Sequence, residues 1–238
     1  MDQIKSLIYR PSAAAVVALL SVTLFYIFAG VEFGKLMGAA SWVNYAARIG
    51  IVALPVCLLM VAGEIDISIG AMIPAGAMTT AIISGHFELP MIFGIIGALS
   101  VGVIVGVING ILAIRTNVPT LIITLATLVG MQGVVLAGSK LLTGSASVPL
   151  TAPDWAKTLL GQLMFGGSHQ VIIIWWVVLA LVFWFFLHMS KYGNWIFAMG
   201  GDKESARNAG IPVNRMTVLL FVLTSTSCLL YTSPSPRD

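Results

Sequence analysis

Residues 51–83 read IVALPVCLLMVAGEIDISIGAMIPAGAMTTAII. Two apolar runs, 51–62 and 71–83, flank a break with the sequence GEIDISIG at residues 63–70. The runs have the character of membrane helices, whereas the break carries two carboxylates, Glu64 and Asp66. Acidic groups are among the most costly side chains to place near hydrocarbon. The pattern therefore predicts two membrane helices joined by a turn whose charges need a structural or functional reason.

The composition indicates that lipid surrounds most of the chain. Hydrophobic residues make up 58% of its 238 residues, and charged residues only 9%. Soluble domains carry about 25% charged residues, so this chain lacks the polar groups that would cover a water-exposed surface. Its two cysteines, Cys57 and Cys228, both lie in apolar runs and predict no disulfide framework.

Apolar segments repeat along the chain at lengths suited to membrane helices, which need roughly 20 residues to cross. Helices are expected because an open strand edge in lipid would leave backbone groups without hydrogen bonds. The predicted fold is an all-α polytopic membrane protein, a helical bundle of about seven spans, multi-pass in a bilayer. The segments are residues 13–30, 42–62, 67–84, 90–114, 119–138, 170–188 and 215–230, of which the last is short for crossing.

The distribution of basic residues predicts a cytoplasmic N-terminus, because Lys and Arg accumulate on the cytoplasmic side of membrane proteins. Lys5 and Arg10 precede the first segment, which we interpret as a retained span; a cleaved signal peptide is the alternative. With the N-terminus inside, seven basic residues fall inside and three outside. The inner set is Lys5, Arg10, Arg115, Lys191, Lys203, Arg207 and Arg215, and the outer set is Lys35, Lys140 and Lys157.

Motifs for catalysis, nucleotide binding and metal binding are missing from the sequence. It contains no GxxxxGK[ST], HExxH, CxxC or GxSxG pattern. Its three histidines, His86, His169 and His188, lie far apart at segment ends, which is more typical of interfacial residues than of metal ligands. We expect no enzyme activity, no metal and no cofactor, and no nucleic-acid partner.

Ion coupling has little support in the sequence. Ionisable residues well inside the spans are nearly absent, and Arg48 is the clearest case. An ion-coupled carrier usually needs buried carboxylates or a proton relay. Energy supplied by another protein is the preferred interpretation, and an ion-coupled secondary carrier and a non-transporting membrane scaffold remain alternatives.

A stripe of small residues organises the fourth segment. Ala98, Gly102, Gly106 and Gly110 recur every four residues and would form one smooth helix face. Such a face lets another backbone approach closely, either a helix of the same subunit, which is preferred, or a helix of a second subunit. Asn109 lies beside the stripe, either as a bond between helices or as part of a polar path.

A short helix is predicted over residues 203–209, in the most polar loop of the chain. Asp202 is a favourable N-cap, Glu204 lies in the first turn and Arg207 in the last, as the helix dipole favours. Gly210 stands at the position after the C-cap, and Pro212 follows. A helix this short cannot cross a membrane, so it is either a docking element for a partner or an ordinary surface helix.

Three blocks of the sequence resemble one family, the permease subunits of bacterial ABC sugar importers of the ribose, xylose and autoinducer-2 type. GEIDISIG resembles the GGIDLSVG signature, with Glu64 in place of a glycine. Residues 106–127, GVINGILAIRTNVPTLIITLAT, and residues 198–216, AMGGDKESARNAGIPVNRM, resemble two further blocks in the same order. Branched-chain amino-acid ABC permeases share the layout and remain the alternative, but the GEIDISIG block favours sugars.

The resemblance implies an import function for the chain and several partners. Such permeases are inner-membrane subunits that work in pairs, as homodimers or heterodimers. A periplasmic binding protein delivers the solute, and cytoplasmic ABC ATPases on separate chains supply energy. The short cytoplasmic helix of the family docks on the ATPase, which implies this role for Gly201, Asp202, Glu204, Ala206, Arg207, Gly210 and Ile211.

Polar residues near the predicted spans are candidates for the translocation path. They are Asp66, Ser68, Asn109 and Thr124, and for each of them local helix packing is the alternative. The orientation places residues 63–70 at a cytoplasmic turn, although a helix break at membrane depth remains possible. There Asp66 could cap the third span at its N-terminus, where negative charge is favoured.

The resemblance fades after Thr224, where the sequence becomes polar and rich in proline. Family members continue through further spans. We therefore expect residues 1–230 to be a permease domain that is incomplete at its C-terminus. Residues 231–238, at the end of CLLYTSPSPRD, resemble translated linker sequence and are expected to be a non-native tail.

Overall fold

The computed structural model describes residues 11–30, 33, 35–158, 162–164 and 169–228. Within these ranges the chain is mostly helical, and its sheet is a two-stranded hairpin. Lys5 and Arg10, which contribute to the predicted orientation, lie outside the described residues, as does the expected tail at 231–238.

Five helices make up the first part of the described chain, and the third continues as a π-helical turn. They are α1 (Pro11–Ala29), α2 (Leu36–Val61), α3 (Ile69–Thr80, followed by the π-helical turn Ala81–His86), α4 (Met91–Arg115) and α5 (Thr120–Thr143).

The second part begins with short elements and returns to long helices. They are α6 (Asp154–Ala156), the antiparallel strands β1 (Leu163–Met164) and β2 (His169–Gln170), α7 (Ile172–Met189), α8 (Lys191–Gly201), α9 (Lys203–Asn208) and α10 (Val213–Ser227).

Each of the seven apolar segments overlaps one of these helices. Among the described residues, four helical stretches are long and apolar enough to cross a bilayer: Met37–Val61, Met91–Arg115, Thr120–Thr143 and Ile172–Met189. Their outer faces expose bulky apolar side chains, such as Val129 at 68% and Leu181 at 62%, which only lipid or another protein surface would cover. The chain is therefore an all-α polytopic membrane protein.

Close backbone contact joins α4 to α10 along the stripe of small residues. An added Cβ at Gly106 would lie 2.5 Å from Val222 Cα, and one at Gly110 would lie 2.8 Å from Val218 Cα. At Gly102 the same atom would lie 3.2 Å from Thr226 Cα. The stripe, with Ala98 buried at its start, faces a helix of the same chain, which is the arrangement that small residues permit between membrane helices.

Arg48, near the middle of α2, binds the hairpin of β1 and β2. Its Nη2 donates to Gln170 Oε1 at 2.7 Å, and the backbone N–H of Gln170 donates to Asn44 Oδ1 at 2.9 Å. Trp176 of α7 packs directly over Gly50 on the same helix. The guanidinium is therefore used to hold β2 against α2, beside the contact between α2 and α7.

A large buried cluster unites α2, α8, α9 and α10 at one end of the bundle. Its side chains come from the last turns of α2 and from the inward faces of the other three helices. It thereby fixes the short helix α9 to the body of the protein, next to the break after α2. The members are Leu58, Leu59, Ala62, Ile196, Met199, Ala206, Val213, Met216, Leu220 and Phe221.

Candidate functional site

The break after α2 begins with a glycine in the left-handed region. Gly63 has φ 84°, a conformation that side-chain-bearing residues rarely adopt. Its N–H donates to the carbonyl of Met60 at 3.0 Å, and the N–H of Glu64 donates to that of Leu59 at 3.1 Å. These two bonds form a Schellman motif, which ends α2 and turns the chain toward Asp66.

Asp66 orders the break and does not cap α3. The helix begins at Ile69, and Ser68 occupies the cap position. Asp66 Oδ1 accepts from the backbone N–H of Ser68 at 2.8 Å and from its hydroxyl at 2.6 Å. The prediction that Asp66 caps the third span is therefore wrong, because its carboxylate closes a tight turn before the helix starts.

A buried polar network extends from this turn into two helices. Asn109 Nδ2 on α4 donates to Ser68 Oγ at 3.0 Å, and Thr127 Oγ1 on α5 donates to Asn109 Oδ1 at 2.6 Å. Asp66, Ser68 and Asn109 are all buried. Within the described part of the chain, Asp66 Oδ2 has no hydrogen-bond partner, so the network retains one free acceptor.

Threonines of α5 hold the backbone of the break. Thr120 Oγ1 accepts from the N–H of Ile65 at 3.3 Å, and Thr124 Oγ1 accepts from the N–H of Ile67 at 3.2 Å. The four path candidates therefore meet in one region, with Thr124 bonded beside the other three. Thr120 and Thr127 were missed as site residues, although the spacing of Thr120, Thr124 and Thr127 marks one face of an apolar helix.

The predicted short helix is confirmed as α9 and is one residue shorter than expected. Asp202 is its N-cap, and its Oδ2 accepts from the backbone N–H of Ser205 at 2.6 Å. The hydroxyl and N–H of Ser205 hold the pKa of Asp202 below its usual value. At the other end, Gly210 has φ 84°, and the bonds Gly210 N–H to Arg207 and Ile211 N–H to Ala206 form a second Schellman motif.

The residues predicted for ATPase docking, in α9 and directly beside it, divide into a buried set and an exposed set. Ala206 is buried in the cluster that seats the helix, and Ile211 packs against that cluster. The others are exposed: Gly201, Asp202, Glu204, Arg207 and Gly210. Arg207 Nη2 also donates to Asn214 Oδ1 at 3.3 Å, which closes the turn into α10. The helix thus combines an anchored side with a charged, accessible side.

An ion pair connects the break to α9. Lys203, the first residue of the helix, donates to Glu64 Oε1. The Glu64 side chain is 9% exposed and that of Lys203 is 39% exposed, so the carboxylate is largely enclosed while the lysine reaches in from the surface. Sequence reasoning left Lys203 out of the site, and no local signal could have paired two residues so distant in sequence.

Comparison with known proteins gives a consistent set of relatives. The fructose import permease protein of Rhizobium meliloti is 28% identical over 228 residues, which cover 92% of this chain and 62% of the relative. The autoinducer 2 import system permease protein of Photorhabdus luminescens is 36% identical over 181 residues, which cover 74% of this chain and 52% of the relative. The galactofuranose transporter permease protein of Escherichia coli (strain K12) is 30% identical over 192 residues, which cover 80% of this chain and 54% of the relative.

The chain spans between about half and three fifths of the length of these relatives. No solved structure matches the chain significantly. A family model described as "Branched-chain amino acid transport system / permease component" matches residues 38–227, which include the break, the polar network and α9. The resemblance to permease subunits of sugar importers is confirmed by these relatives. The chain belongs to this family of transport permeases.

Proposed function

We propose that this chain is the permease subunit of an ATP-driven importer that carries a monosaccharide or a similar small polar solute across the bacterial inner membrane. The family match over residues 38–227, with relatives named for the import of fructose, autoinducer 2 and galactofuranose, carries the proposal. The family description names branched-chain amino acids, but none of these three relatives does. A periplasmic binding protein would select the solute, and a second permease subunit, identical or related, would complete the path.

The ion pair between Glu64 and Lys203 supports an even number of crossings between the break and α9, as in the proposed seven-span topology. Two residues in contact lie on the same side of the membrane, so an even number of crossings must separate them. Between them are α4, α5 and α7, each long enough to cross. The number of crossings becomes even when α3 and its π-helical turn also cross, so that the break and α9 share one side of the membrane. The basic residues Lys203, Arg207 and Arg215 are the reason for proposing that this side is cytoplasmic.

On that side, α9 is the proposed docking element for a separate ATPase chain. Ala206 and Ile211 anchor the helix, while Glu204 and Arg207 present opposite charges on its accessible part. Caps at both ends make this short helix rigid, which lowers the entropy lost when a partner binds. Hydrolysis of ATP would take place on the partner, and the permease would alternate between inward-facing and outward-facing states.

The polar network around Asp66 is the proposed contact between permease and solute. A buried acceptor without a partner is costly, and Asp66 Oδ2 is such an acceptor. The hydroxyl groups of a sugar are hydrogen-bond donors, and Asp66 Oδ2 would accept a hydrogen bond from one of them. Ser68 and Asn109 would fix the orientation of the Asp66 carboxylate, and Thr124 would fix the backbone beside it.

The test measures solute uptake in two systems. One is membrane vesicles, either inverted or right-side-out. The other is proteoliposomes that contain the full-length protein with its co-purifying ATPase and binding protein. Radiolabelled fructose, galactofuranose, ribose and leucine are supplied with and without ATP. We expect ATP-dependent uptake of a sugar that persists when a protonophore is added. Uptake of leucine alone would favour the amino-acid alternative, and uptake that collapses with the protonophore at constant ATP would favour an ion-coupled carrier.

A further inference from the structure

Two contacts tie the N-terminal end of α9 to the end of α2 and the break that follows it. The first is the ion pair between Lys203 and Glu64. The second lies just before α9, where an added Cβ at Gly200 would overlap the carbonyl oxygen of Val61. The end of α8 therefore rests on the end of α2, backbone against backbone. A displacement of α9 must either break these contacts or carry the start of the break with it.

The ion pair is the contact better suited to transmit such a displacement. Glu64 is largely enclosed, and a buried carboxylate that loses its counter-ion is strongly disfavoured in a low-dielectric environment. The neighbouring cluster of α2, α8, α9 and α10 is apolar. Glu64 and Lys203 should therefore stay together when α9 moves.

From Glu64 the connection continues directly to the polar network. Ile65 and Ile67 are bonded through their N–H groups to Thr120 and Thr124 of α5, and Asp66 lies between them. These bonds are long, at 3.3 and 3.2 Å, and they join a non-helical backbone to side-chain hydroxyls that can rotate. The break is thus braced by α5 on one side and held by α9 at its start.

We propose that Glu64 and Lys203 are positioning residues that couple movement of α9 to the setting of Asp66 in the polar network. The proposal rests on the proposed function, because it takes α9 as the element that the ATPase displaces. When α9 shifts, the ion pair carries residues 63–65 with it, and the bonds of Ile65 and Ile67 to α5 rearrange. The Asp66 carboxylate then changes its position relative to Asn109. Residues that carry coupling need not touch the ATPase or the solute.

The experiment is a double-mutant cycle in proteoliposomes that contain the full-length chain and the ATPase and binding protein that co-purify with it. The variants are Glu64→Gln, Lys203→Gln, both together, and the exchanged pair Glu64→Lys with Lys203→Glu. Two quantities are measured: the affinity for the ATPase and the amount of sugar taken up per ATP hydrolysed. Glu88→Gln and Lys140→Gln, two exposed residues elsewhere, are the matched controls.

We expect each single variant to bind the ATPase as the wild type does and to lower uptake per ATP by at least about threefold, within the range for residues that carry coupling. The double variant should be no worse than either single variant, and the exchanged pair should recover most of the loss. A purely structural role would lower binding, hydrolysis and uptake together.

Two results would overturn the coupling role of Glu64 and Lys203 and leave the proposed function intact. One is wild-type uptake per ATP in either single variant; the other is an exchanged pair that performs no better than the single variants. Failure of the wild-type chain to bind any ATPase is a different result, because it would remove the proposed function and the link with it.

Discussion

The side-chain amide of Asn109 donates to Ser68 Oγ at 3.0 Å, and this bond joins the C-terminal part of α4 to the start of α3. Because Asn109 also accepts from Thr127, a single side chain connects three helices in a region that excludes solvent. Ser68 in turn donates to Asp66, so the orientation of the buried carboxylate depends on Asn109. The network is therefore connected in a way that single substitutions can test.

Replacing Asn109 with alanine should destabilise the protein by about 1–2 kcal/mol, because two hydrogen bonds between membrane helices are lost. Thermal unfolding in detergent, followed by a thiol-independent fluorescence signal, measures the change. Ser100→Ala on the same helix is the control, since the Ser100 hydroxyl bonds only to the carbonyl of Ile96 within α4. Equal melting temperatures for the two variants would show that the network does not hold the helices together.

Replacing Gly106 with alanine should separate α4 from α10. The new Cβ would lie 2.5 Å from Val222 Cα, a backbone atom that cannot rotate away, and the overpacking should cost about 1–3 kcal/mol. Gly133→Ala is the matched control, because an added Cβ there meets no described atom within 4 Å. The control should be neutral or stabilising by up to about 1 kcal/mol, since alanine favours a helix over glycine. Similar stability of the two variants in detergent would contradict the close contact.

Asp202 should make the strength of ATPase docking depend on pH. Its pKa is lowered in the folded chain, so its capping contribution is present above the unfolded pKa and is lost as the pH falls through the lowered value. Asp202→Ala should weaken binding at neutral pH, because α9 loses its cap. Asp202→Asn should bind like the wild type at neutral pH, since an asparagine oxygen can also accept from the N–H of Ser205.

The measurement is ATPase affinity for the three proteins between neutral and acidic pH, on complexes whose isolated ATPase is checked over the same range. Acid should weaken binding of the wild type relative to Asp202→Asn. An identical pH profile for these two proteins would show that the Asp202 carboxylate has no part in docking.

Sequence reasoning succeeded where the determining interactions are local. The bounds of α9 follow from Asp202 and Gly210, whose roles depend on neighbours within four residues. The helical segments could likewise be predicted, because long runs of apolar residues are typical of membrane helices. The four residues proposed for the path also lie in one region, because polar side chains in apolar helices tend to form hydrogen bonds with one another.

Interactions between distant segments were beyond the sequence. Nothing local connects Glu64 with Lys203, and Glu64 was noted only as a departure from a family signature. The misassigned cap at Asp66 has a different cause. A carboxylate before a helix can accept hydrogen bonds from the helix start or from a turn that precedes it. Here the backbone N–H and the hydroxyl of Ser68 bond the Asp66 carboxylate into the turn.

The most direct test of the account is the affinity of the co-purifying ATPase for the full-length permease that carries both Glu204→Ala and Arg207→Ala. These two side chains lie on the accessible part of α9, while its buried anchor, Ala206, is left unchanged. We predict that affinity falls by at least about tenfold, as for residues near the centre of an interface, and that ATP-driven sugar uptake falls with it. Lys140→Ala should leave both unchanged. Wild-type affinity and wild-type uptake in the double variant would contradict the claim that α9 is where the ATPase docks.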